Sequence, residues 1–428
     1  MTKINPSIGF ISLGCAKALV DSERILTQLH AEGYDTTSSY ENADLIIINT
    51  CAFINDAIDE SLEAIGEALQ QHEKVIVTGC LGAKKEIILE KFPTVLAITG
   101  PADYQSVMQI VHQHLPKKHD AKLDLISPIK LTPKHYAYLK IAEGCHNRCT
   151  FCIIPDLRGT LASRPLSDIL TEANHLVQSG VKELLIIAQD TSAYGIDLND
   201  TNIKQLVHEF SQLGIWIRLH YLYPYANLDD LIPYMQDHKI LPYIDMPLQH
   251  ASHKILKAMK RPANTENMIK RIATWRKLCP DLTLRTTFMV GFPGETEDDF
   301  ERLLDFMETA QFDRVGCFKY SNVDGARANH LPHQLSEEIK EDRFQRLMRL
   351  QETISINKLK QKIGQTIPVM IDAITDDQMI GRSMGDSPDV DGNVFMKKIA
   401  SVKPGDIIQV TIIDSDEHDL IGIVTLNL

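Results

Sequence analysis

Three cysteines fall within the stretch EGCHNRCTFC, at Cys145, Cys149 and Cys152, with three residues in the first gap and two in the second. In a chain with only eight cysteines overall, thiols grouped this closely serve as metal ligands more readily than as disulfide partners. An iron–sulfur cubane held by four thiolates is closed and suits electron transfer, whereas one held by three leaves an iron open to a small molecule. The competing assignment is a structural zinc completed by His146 or a distant histidine. His146 directly follows Cys145, which makes joint chelation awkward, and no second histidine stands at finger-like spacing.

A second trio is scattered through the amino-terminal quarter: Cys15 after IGFISLG, Cys51 after LIIINT and Cys80 after VIVTG. Each follows a β-branched run of strand length, and parallel strands end on one edge of their sheet, so the three thiols should converge there. Gly14 and Gly79 allow the sharp turns that would aim them. Cys279 and Cys317 show no such placement and are assigned no chemistry.

The elements that must carry these residues divide the chain in three. From Ser7 to about Thr99, strand-like runs alternate with polar, helix-like segments, the mark of a parallel sheet covered by helices. A proline-bearing stretch from Pro116 to Lys134 reads as a linker. From Tyr136, six strand-like runs (YAYLKIA, ELLIIAQD, WIRLHYLY, YIDMPL, LTLRTTFMV and RVGCFKY) alternate with helical stretches and predict an open partial barrel of six βα units. Thr296 and Asp299 form a capping pattern ahead of one of its helices, and a long helix over about Ser336–Gln361 leads out. The tail turns to short strands, TIPVMIDAI, NVFMKK, KPGDIIQVTIID and DLIGIVTL, which suit a small antiparallel barrel. The expected fold is therefore α/β, with domains at 1–118, 135–360 and 362–428.

A hydrophobic content of 44% with 24% charged residues allows large cores and excludes a disordered chain. No apolar run approaches the roughly 18 residues of a bilayer span, and the chain reads as cytoplasmic with no membrane partner. A net charge of −13 argues against a broad nucleic-acid surface.

GCHNRCTFC, with Phe151 before its last cysteine, resembles the Cys-x3-Cys-x2-Cys signature of the radical S-adenosylmethionine enzymes. In that superfamily the open iron is chelated by S-adenosylmethionine, and one electron from the cluster releases a 5′-deoxyadenosyl radical. Two three-cysteine sites plus a terminal β-barrel extend the resemblance over essentially the whole chain, to the radical S-adenosylmethionine methylthiotransferases. It implies two 4Fe–4S clusters, the second carrying the sulfur to be inserted, a terminal TRAM domain that engages the substrate, and an electron donor and a sulfur carrier, both unidentified. By the same resemblance, strand-end residues Gln189, Asp190, Gln249 and Arg285 would hold S-adenosylmethionine, with Phe151 against its adenine.

Members of this family modify either a tRNA adenosine or an aspartate of ribosomal protein S12. GCAKALVDSE and YSNVDGARAN resemble the protein-modifying branch, although Ala16 and Ala18 stand where its usual form has Pro and Asn. The tail adds a charge argument: five basic against eleven acidic residues from Gln361 to Leu428 should repel RNA and attract a basic ribosomal protein.

Overall fold

The computed structural model describes residues 5–116, 129–262 and 264–425. Most of the expected linker, 117–128, lies outside the described residues.

The amino-terminal unit holds strands β1 (Ser7–Ser12), β2 (Asp35–Thr37), β3 (Leu45–Thr50), β4 (Val75–Gly79) and β5 (Ala97–Ile98). They form one parallel sheet in the order β2-β1-β3-β4-β5. Helices α1 (Ala16–Ala31), α2 (Asn55–Gln71), α3 (Lys85–Lys91) and α4 (Tyr104–His114) cover it. Every residue of β3 and β4 is buried, as expected of central parallel strands covered on both faces. The three-residue edge strand β2 was not foreseen; DTT is too short and polar to carry a pattern.

The central unit begins with β6 (Tyr136–Lys140), β7 (Ala142–Glu143), helix α5 (Ile154–Arg158), β8 (Ala162–Ser163) and α6 (Leu166–Gln178). It continues through β9 (Glu183–Ile187), α7 (Ile203–Phe210), β10 (Trp216–Leu219), α8 (Ile232–Gln236), β11 (Tyr243–Asp245), α9 (His253–Ala258) and α10 (Thr265–Leu278). It ends with β12 (Thr283–Val290), α11 (Glu297–Ala310), β13 (Arg314–Lys319) and α12 (Glu337–Lys360). The six major strands pair in the order β13-β12-β11-β10-β9-β6, the open partial barrel that the six runs foretold. Thr296 and Asp299 make the expected reciprocal capping box at α11. Leu139, Ile186, Leu219, Ile244 and Leu284 point outward into the core beneath the helices. The alternate residues Glu183, Arg218, Tyr243, Asp245 and Arg285 face the opposite, concave side.

The tail closes a five-stranded barrel, β14 (Thr366–Ile374), β15 (Gln378–Ser383), β16 (Val394–Lys397), β17 (Ile407–Ser415) and β18 (Leu420–Val424), in the order β14-β15-β16-β18-β17. Strand β15 was missed because it carries a glycine and a buried arginine rather than an apolar alternation. Its Arg382 is buried so that Nη1 can meet Glu183 of β9 at 2.8 Å while Nε meets Asp372 at 2.6 Å.

The loop from β15 to β16 enters the concave side of the central sheet. Met384 O accepts from Arg218 at 2.9 Å, Asp386 pairs with Arg314 at 2.5 Å, and Ser387 bonds His220 at 3.0 Å. Asp391 accepts from Tyr243 at 2.6 Å and from Arg285 at 3.2 Å. This qualifies the charge argument: Asp372, Asp386 and Asp391 neutralise interior cations, and Asp377, Asp406, Asp416 and Asp419 accept hydrogen bonds within turns and loops while keeping their charge. Asp376, Asp377, Asp389, Asp406, Asp414, Asp416 and Glu417 remain exposed, so the tail's surface is still acidic.

Candidate active site

The first trio follows β6 and β7 directly. Gly144, at φ +71, passes so close to Thr160 that a Cβ would lie 2.2 Å from its carbonyl oxygen, so the loop must start on a glycine. The Thr150 amide donates to Met259 O at 3.1 Å and its hydroxyl to Ala258 O at 2.9 Å, pinning the loop to the end of α9. Burial pushes the Cys152 thiol up to about 12, with the charges of Cys149 and Cys145 adding to it, as three converging sulfurs require. Arg261 stacks on Tyr223 at 4.0 Å and brings Nη1 to 3.9 Å from Cys149 Sγ.

The second trio follows β1, β3 and β4 at the carboxyl edge of their parallel sheet. A Cβ on Gly14, at φ +96, would meet Cys51 Cβ at 3.0 Å, so this glycine lets the Cys15 turn pass over Cys51. Cys51 is held by Ser61, whose hydroxyl accepts from the Cys51 amide and donates to its carbonyl, each at 3.0 Å. Burial raises the Cys80 thiol to about 11 against the pull of Arg158, and the charges of Cys51 and Cys15 raise it further. Desolvation also raises Cys15, but Lys17, the Ala18 amide and Arg158 outweigh it and leave the thiol below its ordinary value.

A buried polar network joins the two sites. Arg158, at the end of α5 and six residues after Cys152, donates from Nε to Cys80 Sγ at 3.2 Å. Its Nη1 meets Asp21 at 3.1 Å and Glu143 at 2.9 Å. Lys140 pairs with Asp21 and, at 2.7 Å, with Glu143. Burial works against the Glu143 carboxylate, yet Lys140 and Arg158 hold it down at about 2. Around the network, Cys80 and Leu81 share one apolar cluster with Ile153, Leu157, Val323 and Ala326 of the central unit. Lys17 lies over the Tyr221 ring at 3.1 Å, on the same seam.

The residues assigned to S-adenosylmethionine separate into groups. Gln189 donates to Glu143 at 2.6 Å, while its Oε1 is buried without a partner, an acceptor left for a donor group. Asp190 accepts from Asn147 of the cysteine loop at 2.7 Å and from Tyr225 at 3.1 Å, so it buttresses that loop. Gln249, at φ +73, sits in a strained turn beside β12. Phe151 packs against the cluster of Ile255, Met259, Phe292 and Tyr320. Arg285 requires a correction: it lies near the start of β12, paired with Asp245 at 3.3 Å and Asp391 at 3.2 Å, and so faces the tail loop rather than the strand ends. Sequence reasoning missed Asp21, Glu143, Arg158 and Arg261. The visible signal was charge inside apolar runs, Lys140 and Glu143 in YLKIAEG.

The donor sets fit clusters. Among the described residues no three His, Cys, Asp or Glu side chains are gathered as for a single metal ion; a cubane takes one thiolate per iron and spaces them wider. Arg158 Nη2 and Arg261 Nε, one beside each trio, are buried donors without partners.

Residues 139–307 match the Radical SAM superfamily, 7–100 the uncharacterized protein family UPF0004, and 363–424 the TRAM domain. The ribosomal protein uS12 methylthiotransferase RimO of Escherichia fergusonii is 56% identical over 438 residues, covering 99% of each chain. Its namesake from Cronobacter sakazakii is 56% identical over 431 residues, covering 97% of this chain and 98% of that one. The chain belongs to the radical S-adenosylmethionine methylthiotransferase family. Membership brings a 4Fe–4S cluster and S-adenosylmethionine. Among solved structures, the radical S-adenosylmethionine methyltransferase TsrM from Kitasatospora setae, with cobalamin and a 4Fe–4S cluster bound, superposes with a TM-score of 0.54. At 12% identity over 74% of this chain and 72% of that one, this likeness shows the shared fold. Among the described residues no helix is long and apolar enough to cross a membrane.

Proposed function

We propose that this chain methylthiolates the β-carbon of an aspartate in ribosomal protein S12, with a 4Fe–4S cluster at each cysteine trio. The observation that carries the reading is the pair of three-thiolate sites joined through Glu143 and Arg158, in a chain 56% identical to S12-modifying relatives. When bound, the clusters and S-adenosylmethionine supply a carbon-centred radical and a sulfur source.

The chain's own residues supply position. Cys145, Cys149 and Cys152 hold the first cluster, and Cys15, Cys51 and Cys80 the second. Gln189 Oε1 accepts from the amino group of S-adenosylmethionine, Phe151 lines its adenine side, and Gln249 borders it on the strand end. Asp190 holds the cysteine loop through Asn147. The buried seam keeps water from the radical's path, which matters because a primary alkyl radical attacks almost any C–H bond. The working units are 1–118 for the second cluster, 135–360 for radical generation and 362–428 for the tail. S12 is the macromolecular partner, with an electron donor and a sulfur carrier besides, and the cytoplasm, where ribosomes are assembled, is the site of action.

Mass spectrometry of S12 and of tRNA from a deletion strain tests this. S12 lacking the methylthio mass on its aspartate, with tRNA intact, is the expected result; intact S12 with tRNA depleted of methylthioadenosine refutes it.

A further inference from the structure

The guanidinium of Arg158 has two edges with different surroundings. Nη1 is satisfied by the carboxylates of Asp21 and Glu143, at 3.1 and 2.9 Å. Nε donates to Cys80 Sγ at 3.2 Å. Nη2, which lies on the same edge as Nε in the planar fork, is buried and has no partner. A buried guanidinium donor without an acceptor is costly, and the side chain is only 2% exposed. It is therefore kept dry beside a cysteine trio with one hydrogen-bond direction open.

The charges sharpen the point. Arg158 and Lys140 are balanced by Asp21 and Glu143, two cations against two carboxylates, so the network needs no further anion. The Nε–Nη2 edge is accordingly a directional donor pair, with Nε on Cys80 and Nη2 open. Two parallel N–H groups on one edge match adjacent sulfur atoms as they match the two oxygens of a carboxylate.

We infer that Arg158 is the positioning residue of the second site, its Nε–Nη2 edge donating to the Cys80 thiolate and to a neighbouring sulfur of the cluster held there. This rests on the reading that Cys15, Cys51 and Cys80 hold a cluster. Two consequences follow. Hydrogen bonds to cluster sulfurs favour the more negative, reduced state, so Arg158 raises the reduction potential of this cluster. Because α5 starts two residues after Cys152, the same side chain also fixes where the second site stands relative to the first.

The test uses the full-length chain carrying Cys145→Ala, Cys149→Ala and Cys152→Ala, reconstituted anaerobically with iron and sulfide so that only the second site is loaded. Arg158→Met should move the potential, followed by electron paramagnetic resonance, to more negative values by at least a tenfold change in the reduction equilibrium, about 59 mV for one electron. Arg158→Lys, which keeps the charge but has no two-donor edge, should fall between. A potential for Arg158→Met within twofold of the parent overturns the inference. Should Arg158→Met not fold, labelling the parent's arginines with 15N decides the matter: hyperfine coupling from guanidinium nitrogens to the reduced cluster supports the inference, and its absence overturns it. If the parent itself binds no iron, the cluster reading fails, and that outcome is distinct from an unshifted potential.

Discussion

Glu183 is the place where the central unit and the tail depend most on one side chain. It is fully buried, and its carboxylate receives Arg218 Nε at 2.8 Å and Arg382 Nη1 at 2.8 Å. Glu183→Gln keeps the shape and deletes the charge. Arg382 retains Asp372, but Arg218 keeps only the Met384 carbonyl, and its Nη2 already lacks a partner. Removing one member of a buried ion pair costs about 3–5 kcal/mol, of which about 1.5–3 kcal/mol is the one hydrogen bond the amide NH2 can no longer accept, so the loss should be about 4 kcal/mol. The chain has two tryptophans, and Trp216 lines a groove at the seam with Pro368 and Met384 of the tail. In a Trp275→Phe background its fluorescence therefore reports the seam during urea unfolding. With a slope of about 2 kcal/mol per molar urea, the seam transition should fall by about 2 M. Replacing the pair by apolar residues, Glu183→Met with Arg218→Met, should recover much of the loss, since the desolvation of both charges disappears together. A shift below about 0.5 M for Glu183→Gln, equivalent to about 1 kcal/mol at that slope, would refute the reasoning.

Other expectations are as direct. Changing Cys15, Cys51 and Cys80 together to Ala should halve the iron bound per chain and abolish methylthiolation while 5′-deoxyadenosine is still produced; surviving methylthiolation would end the division of labour between the sites. Gly79→Ala should cut iron at the second site severalfold at unchanged iron in the first, because Gly79 has φ +93 and a Cβ would stand 2.3 Å from Asn49 Oδ1 and 2.5 Å from Thr50 O. Asp245, buried beside His220 and Arg285, has its carboxyl held at about 2 against an ordinary 3.8; burial opposes the lowering, and His220 and Arg285 outweigh it. A depressed carboxylate stabilises the fold above its unfolded pKa, so about 2 kcal/mol should be present above pH 3.8 and lost as pH falls towards about 2. The stability gap between parent and Asp245→Asn should narrow in that window, and a gap independent of pH would contradict it.

The placement of the strand-end cysteines was legible because such positions are a local property: a β-branched run and a thiol suffice to place Cys51 and Cys80 on one edge. The six central strands were legible for the same reason. The network between the sites was not, because Asp21 lies more than a hundred residues from its partners Lys140 and Arg158, and nothing local marks an arginine whose partners come from another unit. The tail's charge was legible in part. Counting charge treats every carboxylate as exposed, whereas Asp372, Asp386 and Asp391 face arginines. Substrate preference therefore rests on the relatives and on the cysteine-flanking motif, with the exposed carboxylates of the tail agreeing.

The loop carrying Asp386, Ser387 and Asp391 into the concave face has a bearing on how such chains can be recombined. A grafted tail lacking Asp386 and Asp391 would take the carboxylate from Arg314 and one of two from Arg285, while Glu183 and Asp245 of the barrel stay with Arg218 and Arg285. Chimeras meant to redirect substrate choice should then lose stability at this seam unless the graft keeps those two carboxylates. The loop and the hollow act as one unit.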